Sequence, residues 1–317
     1  MTELLLAVQP LNEQESAILI DQGIEIVTPE LVTVDQLKQV TISYGWSQEL
    51  GNRILAESDN QLRWVQYQGA GVDLLPLAAF AERQILVTNA SGVKAPQIAQ
   101  TVVSYLMHFA RGLHVYQEQH LWHEYEDQYT LDELPTVIFG TGKIGQKIAS
   151  YLSPYGMPIY GVNSSGKQVP GFDKVFALND LLSVWPEGIQ VIINTLPDTP
   201  ATHHYFNSQN HKIWGELFLL VNVGRGGTVD EKELIASLQS GRIRYAALDV
   251  TEVEPVPADS MLWQQRNLIL TQHTSWANHT YPERRSGDVF RILSTNLPAY
   301  LNHEPLVENV VDLTKGY

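Results

Sequence analysis

Strand-like runs of four or five residues recur along the first third of the chain: Leu4–Val8, Ile24–Val27, Val40–Tyr44, Trp64–Gln68 and Ile85–Thr88. Between them lie pieces such as Glu13–Gln22 and Leu74–Arg83, whose apolar residues return at helical spacing. Strands alternating with helices predict a parallel sheet covered on both faces. The alternation resumes at Thr136, with strand candidates Val137–Phe139, Pro158–Val162, Val191–Leu196, Phe218–Val223, Tyr245–Val250 and Leu268–Thr271. Helical segments at Leu178–Val184, Ser208–Ile213 and Glu231–Ser240 separate most of these. The expectation is an α/β chain of two doubly wound parallel-sheet domains with a cleft between them.

A long helical pattern runs from Pro96 to about Gln117, with Ile98, Val102, Leu106, Phe109 and Leu113 in one apolar stripe. At that length it could join two domains or form a subunit contact. Gln117–Glu133 is polar and acidic and reads as surface, with Trp122 as its anchor. Glu283–Tyr300 is expected to be helical through Val289, Phe290, Leu293 and Leu297, and the tail Leu306–Leu313 is short and mixed.

The densest signal follows Val137-Ile138-Phe139. Gly140, Gly142 and Gly145 form a GxGxxG turn that opens an amphipathic helix carrying Ile144, Ile148 and Leu152. Gly140 permits the tight turn. Gly142 lets a pyrophosphate approach the backbone, and Gly145 lets the helix lie close on the strand. Amides of the first helical turn, including those of Lys143 and Ile144, favour an anion there. The motif alone is common. Flanked by a strand, a helix and a second strand, it predicts a dinucleotide site in a Rossmann-like domain.

Bulk properties narrow the partners. A net charge of −15 argues against nucleic acid and anionic membranes. There is no cysteine, hence no thiolate nucleophile or thiolate metal site, and no metal is expected. Leu4–Val8 is too short for a signal sequence and no apolar stretch approaches a membrane span, so the cytoplasm is the expected compartment.

Polar residues able to do chemistry follow the carboxyl ends of the second set of strands. Arg225 leaves Val221-Asn222-Val223 between glycines and can hold a carboxylate bidentately, or simply meet solvent at a sheet edge. Asp249 ends an apolar strand and either holds a nicotinamide carboxamide or caps the next turn. Glu254 follows in an acidic loop where Glu252 reads as a solvated residue. His273 follows Leu268–Thr271. A carboxylate beside such a histidine fixes its tautomer and favours the imidazolium, which makes a general acid. At the place where NAD sites carry an acid, ~20 residues past the glycines, stand Asn163, Ser164, Ser165, Gly166 and Lys167. No carboxylate there repels a 2′-phosphate, and two hydroxyls with a lysine suit one. NADP(H) is therefore favoured. NAD(H) is the alternative if Asn163 itself bonds the ribose.

These motifs, in this order, resemble the D-isomer-specific 2-hydroxyacid dehydrogenase family over nearly the whole chain. Gly71-Val72-Asp73 resembles the family's substrate-carboxylate loop, and Asn89-Ala90 the segment after the last strand of that domain. Pro96–Gly112 is similar to its interdomain helix. Leu196-Pro197 with Thr202 resembles the cofactor-contacting turn. Val221–Leu234, containing Val223, Gly224 and Arg225, resembles its most recognisable signature. Asp249-Val250 with Glu254-Pro255, then Thr271-Gln272-His273, match the last two. Gln272 stands where the family has proline, and Gln100 where it often has glutamate.

The resemblance implies a substrate domain of residues 1–95 plus 283–317 and a dinucleotide-binding Rossmann domain of residues 96–282. It implies NAD(P)-dependent reduction of a 2-oxo acid to the D-2-hydroxy acid. Arg225, Gly71, Val72 and Asp73 would bind the substrate carboxylate, His273 would be the acid, and Glu254 its partner. Tyr44, Trp46, Trp276 and Tyr281 are candidate pocket walls, and a homodimer is expected. Alternatives are related dehydrogenase chemistry (phosphoglycerate, glyoxylate or hydroxypyruvate, formate, phosphite) or a non-catalytic NAD(H)-sensing, corepressor-like protein. A fold that binds an adenosyl compound fits the ordered signatures less well.

Overall fold

A computed structural model describes residues 3–72, 74–277 and 283–314. Asp73 of the expected carboxylate loop and Tyr281 of the expected pocket wall lie outside the described residues. The strands are β1 (Glu3–Ala7), β2 (Ile24–Val27), β3 (Ile42–Tyr44), β4 (Trp64–Gln66), β5 (Leu86–Thr88), β6 (Thr136–Phe139), β7 (Ile159–Asn163), β8 (Lys174–Ala177), β9 (Val191–Asn194), β10 (Leu217–Asn222), β11 (Ile243–Leu248) and β12 (Leu268–Leu270). The helices are α1 (Glu13–Asp21), α2 (Val34–Gln39), α3 (Gln48–Ala56), α4 (Leu77–Glu82), α5 (Ala95–Ala110), α6 (Leu113–Glu118), α7 (Lys143–Leu152), α8 (Ser208–Trp214), α9 (Glu231–Ser240) and α10 (Glu283–Leu301). Two compact units result, one from Met1–Val93 with His279–Tyr317, the other from Lys94–Asn278.

The first unit holds a five-stranded sheet in the order β2-β1-β3-β4-β5, with every pair parallel. Its core on one side includes Leu6, Val65, Phe80 and Val87. On the other, Val289, Leu293 and Leu297 of α10 pack with Leu5, Ile42 and Trp64.

The second unit holds seven parallel strands in the order β12-β11-β10-β9-β6-β7-β8. The order reverses between β6 and β9, where ligands bind in open parallel sheets. Strands β6, β9 and β10 are buried along their whole length, as both-faced cover requires. On one face, Ile148, Ala149 and Leu152 of α7 pack with Val102, Leu106 and Phe109 of α5.

Four sequence expectations change. The helix from Pro96 to Gln117 is two helices, because Gly112 takes φ 65° and breaks the run. Leu178–Val184 is not an α-helix; only Leu181–Ser183 forms a 3-10 turn. Lys174–Ala177, not anticipated, is the edge strand β8, its short apolar content being too brief to read as a strand. Trp122 is fully exposed and anchors nothing. The anchor of that segment is Tyr125, whose ring covers Gly112 and whose hydroxyl accepts from Arg244 at 3.0 Å, while Arg244 also pairs with Asp127.

Candidate active site

The glycine turn sits at the point where the strand order reverses. Gly140 has φ 95°, and a Cβ there would lie 2.3 Å from Thr195 Oγ1. Thr195, just past β9, closes that approach: its amide and hydroxyl both donate to Phe139 O at 2.8 Å. A Cβ at Gly145 would lie 1.9 Å from Gly140 O, so this glycine lets α7 lie against the turn itself. A Cβ at Gly142 would meet nothing within 4 Å. The first bond of the helix runs from Gln146 N to Gly142 O at 2.9 Å. The amides of Lys143, Ile144 and Gly145 therefore precede the intrahelical ladder. An open glycine facing these amides fits a dinucleotide pyrophosphate.

Asn163, at the end of β7, organises the loop that follows. Its Nδ2 donates to Thr141 Oγ1 and to Lys167 O, each at 3.0 Å. Its Oδ1 accepts from Ser165 N at 3.1 Å and Gly166 N at 2.7 Å. Both ends of the amide are thus engaged within the protein, while Ser164, Ser165 and Lys167 are exposed. Beyond β9, Thr202 Oγ1 donates to Pro197 O at 2.6 Å and ties the turn that starts at Leu196.

Arg225 is exposed at the end of β10, its Nη1 donating to Gly224 O at 3.0 Å. Beneath it lies a buried polar network that sequence reasoning missed. Asn194 Nδ2 donates to Asn222 Oδ1 at 2.8 Å and to Thr228 Oγ1 at 2.7 Å. Asn222 Nδ2 and Thr228 Oγ1 both donate to Arg225 O, at 3.1 and 2.6 Å. All three side chains are fully buried. The signal was available as an asparagine closing each of two apolar strands, a costly place for an amide without partners. The flanking glycines seat this loop: Gly224, next to Val223, abuts Leu196 O, and Gly226 abuts Thr251 O.

His273 and Glu254 come together. Nδ1 of His273 lies 2.8 Å from Glu254 Oε2, and Glu254 Oε1 accepts from Thr251 N at 3.1 Å. Arg225, Glu254 and His273 follow β10, β11 and β12, three consecutive parallel strands, so all three stand on one sheet edge. Beside the pair is a cavity of about 470 Å3, walled by Thr251, Val256, Trp263 and Leu270. Asp249 is buried under the His273 loop and accepts from Thr271, Thr274 and Ser275. Burial pushes Tyr105, which shares a hydrogen bond with Thr271, up to about 12. Glu252 is more engaged than a solvated loop residue: its Oε1 accepts from Glu231 N at 2.8 Å, and its own amide donates to Glu231 Oε1 at 2.6 Å.

The expected pocket walls fare differently. Tyr44 is wholly buried in the first unit's core, edge-on to Phe290. Trp46 is likewise core, edge-on to Phe80 at 5.0 Å. Tyr44 ends the central strand β3 and Trp46 follows it, where packing covers both side chains. Trp276 is half-buried with the Lys94 ammonium 4.3 Å from its ring centre. In the first unit, Gly71 is exposed and the Val72 side chain is buried. The neighbouring loops are tied by Asn89 Nδ2 to Ala70 O at 2.8 Å, and by Asn309 from the tail to Ser91 O at 2.8 Å. Among the described residues no group of three His, Asp or Glu side chains is arranged to hold a metal ion. None of the described helices is long and apolar enough to cross a membrane.

Residues 102–275 match the family model described as "D-isomer specific 2-hydroxyacid dehydrogenase, NAD binding domain". Glyoxylate/hydroxypyruvate reductase A of Salmonella typhimurium is 29% identical over 266 residues, covering 81% of this chain and 82% of that protein. A crystal structure of a D-isomer specific 2-hydroxyacid dehydrogenase family protein from Aeromonas salmonicida is 32% identical, with a TM-score of 0.77 over 99% of this chain and 100% of that one. The D-isomer specific 2-hydroxyacid dehydrogenase of Xanthobacter autotrophicus, solved with NADPH and MES, is 26% identical, with a TM-score of 0.79 over 100% of this chain and 99% of that one. With the glycine turn and the edge of strand-end residues described above, these likenesses show that the chain belongs to the D-isomer specific 2-hydroxyacid dehydrogenases, a family of NAD(P)-dependent oxidoreductases acting on CH–OH groups.

Proposed function

We propose that this protein reduces a small 2-oxo acid to the D-2-hydroxy acid, with NADPH the favoured reductant and NADH the alternative. The observation that carries the reading is the His273–Glu254 pair at 2.8 Å, on the same sheet edge as an exposed arginine. Glyoxylate and hydroxypyruvate come first among substrates, because a reductase of both is among the relatives.

In this reading the amides of Lys143, Ile144 and Gly145 hold the pyrophosphate, with Leu196, Pro197 and Thr202 shaping the turn across the crevice. Ser164, Ser165 and Lys167 receive the 2′-phosphate. The cofactor, when bound, supplies a hydride. Arg225 binds the substrate carboxylate through its planar guanidinium. Glu254 accepts from Nδ1 of His273 and stabilises the imidazolium, leaving Nε2 to give a proton to the carbonyl oxygen. In the opposite direction His273 takes that proton back.

The test is turnover of a panel of 2-oxo acids, followed by loss of nicotinamide absorbance with NADPH and with NADH. Reduction of glyoxylate or hydroxypyruvate, faster with NADPH, supports the reading. Oxidation of phosphite or formate without 2-oxo acid turnover would replace it.

A further inference from the structure

Glu254 can serve His273 only if its loop is held, and residues 251–257 form neither strand nor helix. Two acids that do not line the cavity beside His273, Glu252 and Glu231, supply the hold. Glu252 Oε1 accepts from Glu231 N at 2.8 Å, and Glu231 Oε1 accepts from Glu252 N at 2.6 Å. Each carboxylate takes the other's backbone amide, so the loop after β11 is closed onto the start of α9.

Helix geometry explains why two like charges meet there. Glu231 is the first residue of α9, and its amide is one of the donors that a helix leaves unpaired. Asp230 accepts from the next two, Lys232 N at 3.1 Å and Glu233 N at 3.2 Å. The Glu231 amide is left for a carboxylate from elsewhere in the chain, which the positive end of the helix favours. A third group offsets the repulsion. His204, whose amide donates to Gly227 O at 2.8 Å, brings Nε2 to 3.4 Å from Glu252 Oε1. Its ring stacks on that of His203 at 4.2 Å, and His203 Nδ1 lies 3.1 Å from Asp198 Oδ1.

The anchor itself is firm. Leu234 and Leu238 bury the inner face of α9, and the chain just before it carries Thr228 of the buried asparagine network. Close packing adds a second contact, since a Cβ at Gly226 would run into Thr251 O. From Glu252 the hold reaches Glu254 within two residues: Thr251 N donates to Glu254 Oε1 at 3.1 Å, and Thr251 Oγ1 to Val253 O at 2.9 Å.

We propose that Glu252, paired with Glu231, is a positioning residue: the pair tethers the Glu254 loop to α9 and so keeps the Glu254 carboxylate on Nδ1 of His273. The inference rests on the reading of His273 as the proton donor. Because the tether holds Glu254 and not Arg225, it bears on proton donation and not on carboxylate binding.

The experiment compares Glu252→Ala, Glu252→Gln, Glu231→Ala and His273→Asn in the full chain. One readout is the pH titration of the His273 ring by NMR of histidine-labelled protein, its signal identified by its loss in His273→Asn. The other is kcat and KM for hydroxypyruvate across pH at saturating NADPH. In Glu252→Ala the imidazolium loses part of its partner, so the ring should titrate at lower pH and kcat should begin its alkaline fall lower too. At neutral pH kcat should drop about 10-fold, less than the ~10²-fold of a full angstrom misplacement, with KM unchanged. Glu252→Gln keeps the acceptor for the Glu231 amide and should restore the wild-type titration and rate. Glu231→Ala breaks the other half of the pair and should repeat the Glu252→Ala pattern; it carries the comparison should Glu252→Ala fail to fold. An unmoved His273 titration in both alanine variants would overturn the proposal. So would a raised KM with kcat intact, or a glutamine variant as impaired as the alanine one, which would put the effect in the charge. If His273→Asn keeps the full rate, the proton-donor reading fails; if it is inactive while both alanine variants titrate and turn over normally, only the tether fails.

Discussion

Nδ1 of His273 faces Glu254 Oε2 at 2.8 Å, although the two residues leave different strands. The carboxylate is itself held, since its other oxygen accepts the Thr251 amide. A histidine bonded in this way through Nδ1 presents Nε2 to whatever enters. The chemistry proposed for the protein follows from that one orientation and from what stands beside it on the same edge.

His273→Asn removes the proton donor without a large change in volume. A fall in kcat of about 10²–10⁴-fold is expected, the range of general acid catalysis. NADPH binding should persist. Glu254→Gln keeps a hydrogen-bond acceptor but no charge, so its loss should be smaller. It should also move the pH dependence of kcat. Steady-state kinetics across pH, with NADPH affinity measured separately, check both.

Asn194→Ala should weaken both the fold and the carboxylate site. It removes one of the two donors to Asn222 Oδ1, the donor to Thr228 Oγ1 and the acceptor of the buried Leu196 amide, at a cost of about 1–3 kcal/mol. It also loosens the carbonyl of Arg225 that the network holds. Denaturant unfolding should show the first effect, and a raised KM for the 2-oxo acid the second.

The two helix-side glycines of the turn should behave differently. Gly145→Ala drives a methyl group into Gly140 O and is expected to cost about 1–3 kcal/mol of stability, as overpacking does. Gly142→Ala meets open space and should unfold like the wild type, yet bind NADPH more weakly. Thermal unfolding and a binding titration on each variant separate the fold role from the ligand role.

Burial raises the pKa of Glu231 from its ordinary carboxylate value, with the neighbouring Glu252 carboxylate adding to the rise. A raised carboxylate favours folding fully below its unfolded value, about 4.3, and that contribution is lost as pH rises through the folded value. Glu231→Gln removes this charge while keeping an acceptor for the Glu252 amide. The variant should therefore melt on the order of 1 °C higher at neutral pH, as far as a half-exposed group allows. Below pH ~4 the advantage should vanish. Melting curves at the two pH values measure it.

Much of this was legible from residue order. The glycine turn needed only local sequence, because its strand, turn and helix are contiguous. Arg225, Glu254 and His273 were legible as residues just past apolar strands, since parallel strands put such residues on one edge. What escaped depended on contacts distant in sequence. Asn194 meets Asn222 and Thr228 only after β9 pairs with β10. Asp249 gathers donors from a loop more than twenty residues on. The burial of Tyr44 depends on α10, which returns from the far end of the chain. Trp122 was misjudged because a large aromatic residue usually finds cover, and this one has none here.

The most direct measurement follows the hydrogen itself. NADPH deuterated on the transferable position of its reduced ring is mixed with hydroxypyruvate and the enzyme, and the hydroxy acid is read by NMR. Deuterium bound to the carbinol carbon of the D-product, accumulating about 10²–10⁴-fold more slowly when His273→Asn replaces the wild type, is the expected result. A product with only solvent hydrogen on that carbon, or NADPH left unoxidised across the whole 2-oxo acid panel, would contradict it.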